Sequence, residues 1–179
     1  MRPREATTQA RRTHRDVAGG ASARAAPGPL GPLELELEPF DLLRTIAATA
    51  ETVVAAAAEK GLVLEVKTAR ALPARVIGNA ESVRRVLSAL LENAVEFTER
   101  GEVVASITAH GTGGGRVLVQ FEISDTGPGI PGPALEGRRD GGLAEARRLV
   151  EAMDGRMECA SAIGLGSTLW FSVPLDLLG

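Results

Sequence analysis

The polar and apolar positions of this chain change period several times. From Leu33 to Glu38 leucine alternates with glutamate, which predicts a strand with one wet face, ended by Pro39. Asp41 is placed to N-cap a helix that runs to Lys60 and is stopped by Gly61. Leu62, Leu64 and Val66 then alternate again, giving a second strand to Lys67. Asn79 is a good N-cap for a long helix to Phe97, because Val83, Val86, Leu87, Leu90, Ala94 and Phe97 recur at helical spacing. Glu102–Ala109 and Arg116–Asp125 read as a hairpin around the glycine turn at Gly111–Gly115. After a Gly/Pro-rich loop from Thr126 to Gly141, a helix is predicted from Gly142 to Met153. Beyond Gly155 come a strand Arg156–Ser161, a turn at Gly164–Gly166 and a strand Ser167–Pro174.

Three helices among mostly hairpin-linked strands predict a two-layer α/β sandwich (α+β). Its sheet is mixed and mostly antiparallel, with the helices on one face. A doubly wound parallel sheet would need a helix after nearly every strand, and the pattern does not supply one. Residues 1–32 are rich in Arg, Ala, Gly and Pro without apolar periodicity, and read as a disordered tail. Residues 33–176 form the expected domain, long enough to bury a core.

Of the 179 residues, 44% are hydrophobic and 24% charged, as in ordinary soluble domains. The net charge of −3 is unevenly spread. Six arginines against Glu5 and Asp16 give the first thirty residues +4, leaving −7 on the rest. So acidic a body argues against a DNA-binding face. Thr45 to Ala58 is the longest apolar stretch, and it is too short to span a bilayer. A lone Cys159 excludes an internal disulfide and points to a cytoplasmic setting. His14 and His110 stand apart from each other and from Cys159, which leaves no zinc-ligand cluster.

Candidate chemistry lies at the ends of elements. Period two puts Asp125 on the inward face with Val117, Val119, Phe121 and Ile123, where a carboxylate needs a partner or a ligand. An Asp followed by Thr-Gly-Pro-Gly is equally good turn chemistry. Asn93 borders the apolar stripe of its helix, either bonded to neighbouring backbone or offering its oxygen to Mg²⁺. Gly127 and Gly129 follow Asp125, where glycine permits close approach of a flat ligand. Asp140-Gly141-Gly142 opens a helix whose free N–H groups suit phosphate. Gly127, Gly129 and Gly132 lack the strand–turn–helix unit of a dinucleotide fold.

Taken in order, these segments are recognisable. Leu90-Leu-Glu-Asn-Ala-Val-Glu-Phe-Thr98 resembles the asparagine box of sensor histidine kinases, and Asp125-Thr-Gly-Pro-Gly-Ile130 resembles their first glycine box. Gly142-Leu-Ala, with the helix to Met153 and Asp154-Gly155, is similar to the second box, and Gly164-Leu-Gly-Ser-Thr-Leu-Trp-Phe-Ser-Val-Pro174 to the last box and closing strand. The resemblance implies the Bergerat ATP-binding fold, with ATP and Mg²⁺ as ligands. It implies that Asp125 accepts from the adenine amine, that Thr168 supports the adenine, and that Gly127 and Gly129 admit the base. Asn93 would hold Mg²⁺, and Gly142 would face the phosphates. The implied partner is a phosphoacceptor histidine domain or a response regulator protein.

The departures bear on activity. Ala89 stands where a second asparagine is common, Glu96 where a basic residue is usual, and Asp140 where the second box has its first glycine. The lid between Ile130 and Gly141 is short and lacks a phenylalanine motif. Arg138 and Arg139 are either substitute phosphate contacts or part of a solvated loop. The expected function is the ATP-binding domain of a sensor kinase, acting on a histidine outside this segment. The alternatives are a degenerate docking module with weak or no ATP binding, and an anti-sigma serine kinase on the same fold.

Overall fold

A computed structural model of the chain describes residues 35–129 and 142–178. The tail readings, His14, Gly132, Arg138, Arg139 and Asp140 lie outside the described residues. Ten elements follow in order: β1 (Glu38–Asp41), α1 (Leu42–Glu59), β2 (Val63–Thr68), β3 (Arg75–Gly78), α2 (Ala80–Phe97), β4 (Glu102–Gly113), β5 (Arg116–Asp125), α3 (Gly142–Ala152), β6 (Arg156–Ala162) and β7 (Gly166–Leu177).

The strands form a mixed, mostly antiparallel sheet in the order β1-β3-β7-β5-β4-β2, with β6 also paired to β7. Among the described residues the parallel pairing is that of β2 with β4, from Val63 opposite Glu102 to Thr68 opposite Ile107. α2 packs against α1 on one side and α3 on the other, and lies over β4 and β5. This is the two-layer sandwich expected.

Both long helices begin where side-chain caps were legible. The Asp41 carboxylate accepts from the N–H of Arg44 at 2.8 Å, and the Asn79 carbonyl oxygen from that of Ser82 at 2.7 Å. The Asn79 amide also donates to the Glu36 carbonyl at 2.8 Å, tying the segment before β1 to the start of α2.

Alternation is cleanest on the central strands. Val117, Val119, Phe121 and Ile123 of β5 are buried, as are Leu169, Phe171, Val173 and Leu175 of β7. Phe121 lies opposite Phe171 in the register, and their rings stack with centroids 4.4 Å apart. Burying each such side chain stabilises the fold by about 1.5–3 kcal/mol.

Two expectations need correction. Of the strand expected over Leu33–Glu38, the described residues 35–37 lie outside any strand; β1 is Glu38–Asp41, and it runs through Pro39 rather than ending there. β1 is an edge strand, where a residue without an N–H is tolerated; Leu37, expected to alternate inward, is 64% exposed. Second, β3 is a strand that the periodicity of the sequence does not predict. It pairs antiparallel with both β1 and β7, and it seats Val76 in the core.

Candidate functional site

The site is built around the last turns of α2. Val83, Val86, Leu87, Leu90, Leu91, Ala94 and Val95 bury one side of this helix against the sheet. Asn93 borders that side and is half-buried. With Ala89, Glu92, Glu96 and Phe97 it lines a cleft of about 240 Å³, closed on the other side by Gly142 and Leu143 at the start of α3. Phe97, expected on the buried face, is 36% exposed and forms a wall of the cleft.

The cleft therefore brings together Asn93 and the N-terminus of α3, and the positive end of a helix favours anions. Ala89 contributes through its size: a Cβ on Gly142 would stand 3.7 Å from the Ala89 methyl, so the two helices meet closely here. Arg85 of α2 pairs with Glu145 in the first turn of α3, on the surface of the same junction. Glu92, whose carboxylate accepts from Ser88 at 2.7 Å, and Glu96 put two acidic side chains on the cleft wall.

Asp125 belongs to the neighbouring strand end. It lies opposite Val103 of β4 and Ser167 of β7, on the inward face, and is half-buried. Thr126, the next residue, fixes this end of β5: its N–H donates to the Glu102 carbonyl at 3.2 Å, and its hydroxyl accepts from the Glu102 N–H at 3.0 Å. The Asp125 carboxylate accepts from the N–H of Gly127 at 2.9 Å, so the turn and the inward carboxylate are one arrangement rather than alternatives.

Gly127 is the link between strand end and helix. A Cβ there would stand 2.8 Å from the Asp125 carboxylate and 3.2 Å from both the Phe97 carbonyl and the Thr98 hydroxyl. Any larger residue would push the Asp125 turn away from the end of α2. Gly129 serves a second junction. Its φ is +74°, and a Cβ would come within 2.2 Å of the carbonyl of Ala162, the last residue of β6 before the β6–β7 turn. That turn is also held by Gly164, whose N–H donates to the Pro128 carbonyl at 2.8 Å. Both glycines thus have reasons inside the protein itself.

Thr168 is not brought to this site. It lies opposite Ser124 and their hydroxyls bond at 3.0 Å, on the sheet face turned away from the helices. The residue of this strand that shares Asp125's face is Ser167, which is buried and whose hydroxyl bonds that of Ser161 at 2.9 Å. The parity of β7 carried the signal: Leu169, Phe171 and Val173 point inward, so Ser167 does too and Thr168 does not.

Cys159 lies opposite Leu169 on this inward face. Burial pushes its thiol up from the ordinary range, the charge of Asp125 adds to this, and the Arg147 guanidinium acts in the opposite direction. A raised value leaves less thiolate at neutral and mildly alkaline pH. Alkylation of Cys159 by iodoacetamide should therefore be slower than that of a free cysteine, and should keep rising at pH values where the free thiol has levelled. A pH–rate profile that levels with the free thiol would count against this description of its surroundings.

The protein is thus a two-layer α/β sandwich with an acidic residue at a strand end on the helix-covered face, an amide on the facing helix and a helix N-terminus across a cleft. Residues 78–177 match the histidine kinase-, DNA gyrase B- and HSP90-like ATPase family, and the chain belongs to that family. The signal transduction histidine-protein kinase BarA of Escherichia coli K12 is 30% identical over 164 residues, covering 82% of this chain and 18% of BarA. The sensor histidine kinase AruS of Pseudomonas aeruginosa is 38% identical over 117 residues, covering 56% of this chain and 12% of AruS. Full-length ShkA, solved in complex with AMPPNP, superposes with a TM-score of 0.70 at 32% identity, over 83% of this chain and 33% of that one. The catalytic domain of histidine kinase ThkA shares the fold with a TM-score of 0.62 at 20% identity, over 80% of this chain and all of that one. The chain is an ATP-binding domain of the sensor histidine kinase type. It spans less than a fifth of the length of these curated relatives. Among the described residues, no helix is long and apolar enough to cross a membrane.

Proposed function

We propose that this domain binds Mg²⁺-ATP with its adenine near Asp125 and its phosphates between Asn93 and the start of α3. Its γ-phosphoryl group goes to a histidine on another segment or chain. The reading rests on one observation: Asn93 and Gly142 line a single cleft, and its Phe97 wall abuts the Gly127 turn that holds Asp125. The AMPPNP complex of the ShkA relative supports a nucleotide as ligand. Asp125 accepts the exocyclic amine in this proposal, and Ser167 takes the supporting part first given to Thr168, since it lies on the correct face.

The donors available suit Mg²⁺ delivered on the nucleotide. Among the described residues, no group of three or more His, Cys, Asp or Glu converges to hold a metal. The cleft supplies hard oxygen atoms from Asn93, flanked by Glu92 and Glu96, so phosphate oxygens and water complete the shell. The ion, when bound, neutralises phosphate charge. Phosphoryl transfer asks the protein chiefly for such positioning and charge balance.

One observation favours a second reading, a docking module that binds nucleotide weakly. The described residues of the cleft wall include two glutamates and no lysine or arginine, which disfavours a bare triphosphate. Calorimetric titration with ATP, with and without Mg²⁺, separates the two. Saturable, Mg²⁺-dependent binding that weakens roughly tenfold or more in Asn93→Ala is the expected result, the size of one lost ionic contact. Absence of saturation at millimolar ATP would favour the docking module. Transfer of labelled phosphate to a histidine-bearing partner domain then tests the catalytic half of the proposal.

A further inference from the structure

The last turn of α2 leaves carbonyls that no further helical residue satisfies. Each has a specific fate. The Ala94 carbonyl accepts from the Thr98 N–H at 3.1 Å and from the Thr98 hydroxyl at 2.7 Å. The Val95 and Glu96 carbonyls accept from the Lys60 ammonium at 2.8 and 2.6 Å, and the Thr98 carbonyl lies 3.4 Å from the same nitrogen. The Phe97 carbonyl faces Gly127. One side chain, from the end of α1, thus gathers three carbonyls at the negative end of α2, where a cation is favoured by the helix dipole as well as by hydrogen bonding.

We propose that Lys60 is a positioning residue for the nucleotide site, holding the final turn of α2 so that Asn93 and the Asp125–Gly127 turn keep their spacing. Asn93 lies one helical turn before Phe97, and the Phe97 carbonyl and Thr98 hydroxyl form the surface on which Gly127 rests. Gly127 in turn donates to Asp125. Fraying of this turn moves the Asn93 end of α2 and the neighbouring Asp125–Gly127 turn together. The proposal rests on the nucleotide reading above, but it concerns a residue outside the cleft lining: among the described residues, Lys60 donates to backbone oxygens 35 to 38 residues away in sequence.

The test uses the full chain with Lys60→Met, Lys60→Arg and wild type. Mg²⁺-ATP affinity is measured by calorimetry well below each variant's melting temperature, and amide exchange is followed at residues 94–98. Lys60→Met should weaken Mg²⁺-ATP by roughly tenfold, the scale of a lost ionic hydrogen-bond cluster, and should speed exchange in that turn. Lys60→Arg, which can still donate to several carbonyls, should recover most of the affinity. A purely structural part would lower the melting temperature and leave the affinity of the folded protein unchanged, and that result overturns the proposal. If Lys60→Met is too unstable to titrate, Lys60→Arg decides alone: near-wild-type affinity with slow exchange supports the proposal, and a tenfold loss despite slow exchange refutes it. Failure of the wild type to bind Mg²⁺-ATP would instead remove the nucleotide reading itself, a distinguishable outcome.

Discussion

Replacing Asp125 by Asn is expected to weaken ATP binding by roughly 30- to 100-fold while leaving the fold intact, the usual scale for removing a charged hydrogen-bond acceptor. The two side chains have the same shape, and the asparagine carbonyl oxygen can still accept from the Gly127 N–H, now at 2.9 Å from the carboxylate. The flanking bonds from Thr126 to Glu102 involve neither side-chain oxygen. Stability should therefore change by less than about 0.5–1 kcal/mol. What is lost is the negative charge and one acceptor: the second oxygen becomes an amine that meets the adenine amine donor to donor. A second signature is independent of nucleotide. Because the Asp125 charge helps to hold the Cys159 thiol up, its removal should lower that value and speed alkylation of Cys159 at fixed pH. Unchanged ATP affinity in a folded variant would take Asp125 out of the adenine site, whatever Cys159 does.

Most of the layout was legible because the strong signals here are local. Asn79 and Asp41 announce their helices by capping chemistry, and the buried alternation of β5 and β7 survives because both strands are central, covered on one face only. The failures have physical causes of their own. Leu33 to Glu38 alternates convincingly, yet alternation does not say whether a neighbour exists to pair with. The pairing partner is β3, only four residues long and too short to show a period. Its register sets β1 at Glu38–Asp41.

Of the residues proposed for the site, motif order and periodicity point to Asn93, Gly142 and Asp125, and the structure puts Asn93 and Gly142 on one cleft with Asp125 at the neighbouring strand end. Motif position points to Thr168, whereas counting by twos from Phe171 selects Ser167. Lys60 had no local signal at all, since its significance comes from carbonyls at the far end of another helix. Motif glycines raised a subtler difficulty. Their presence suggested ligand contact, while the structure shows Gly127 and Gly129 pressed against protein atoms. A sequence reports that a side chain is excluded, and only the fold reports by what.

Gly166 and Gly164 make that distinction measurable. Both have positive φ, +94° and +79°, so alanine is strained at either. At Gly164 nothing lies within 4 Å of the added Cβ, and only the conformational cost of roughly 1–2 kcal/mol applies. At Gly166 the Cβ would fall 1.9 Å from the Asp125 carbonyl oxygen, 2.9 Å from its carbon and 3.1 Å from the Thr126 Cα, all backbone atoms of a paired strand. No rotamer relieves that overlap. β7 must separate from β5 at the pair Asp125–Ser167, and the Ser161 hydroxyl loses its bond to the Gly166 carbonyl at 3.1 Å. Gly166→Ala is therefore expected to destabilise by about 3–5 kcal/mol in denaturant unfolding, combining backbone strain with overpacking that cannot relax. It should also disturb nucleotide binding through Asp125, whereas Gly164→Ala should cost about 1–2 kcal/mol and spare the affinity. Equal destabilisation by the two substitutions would mean that the close approach of Gly166 to β5 is not what fixes this end of the sheet.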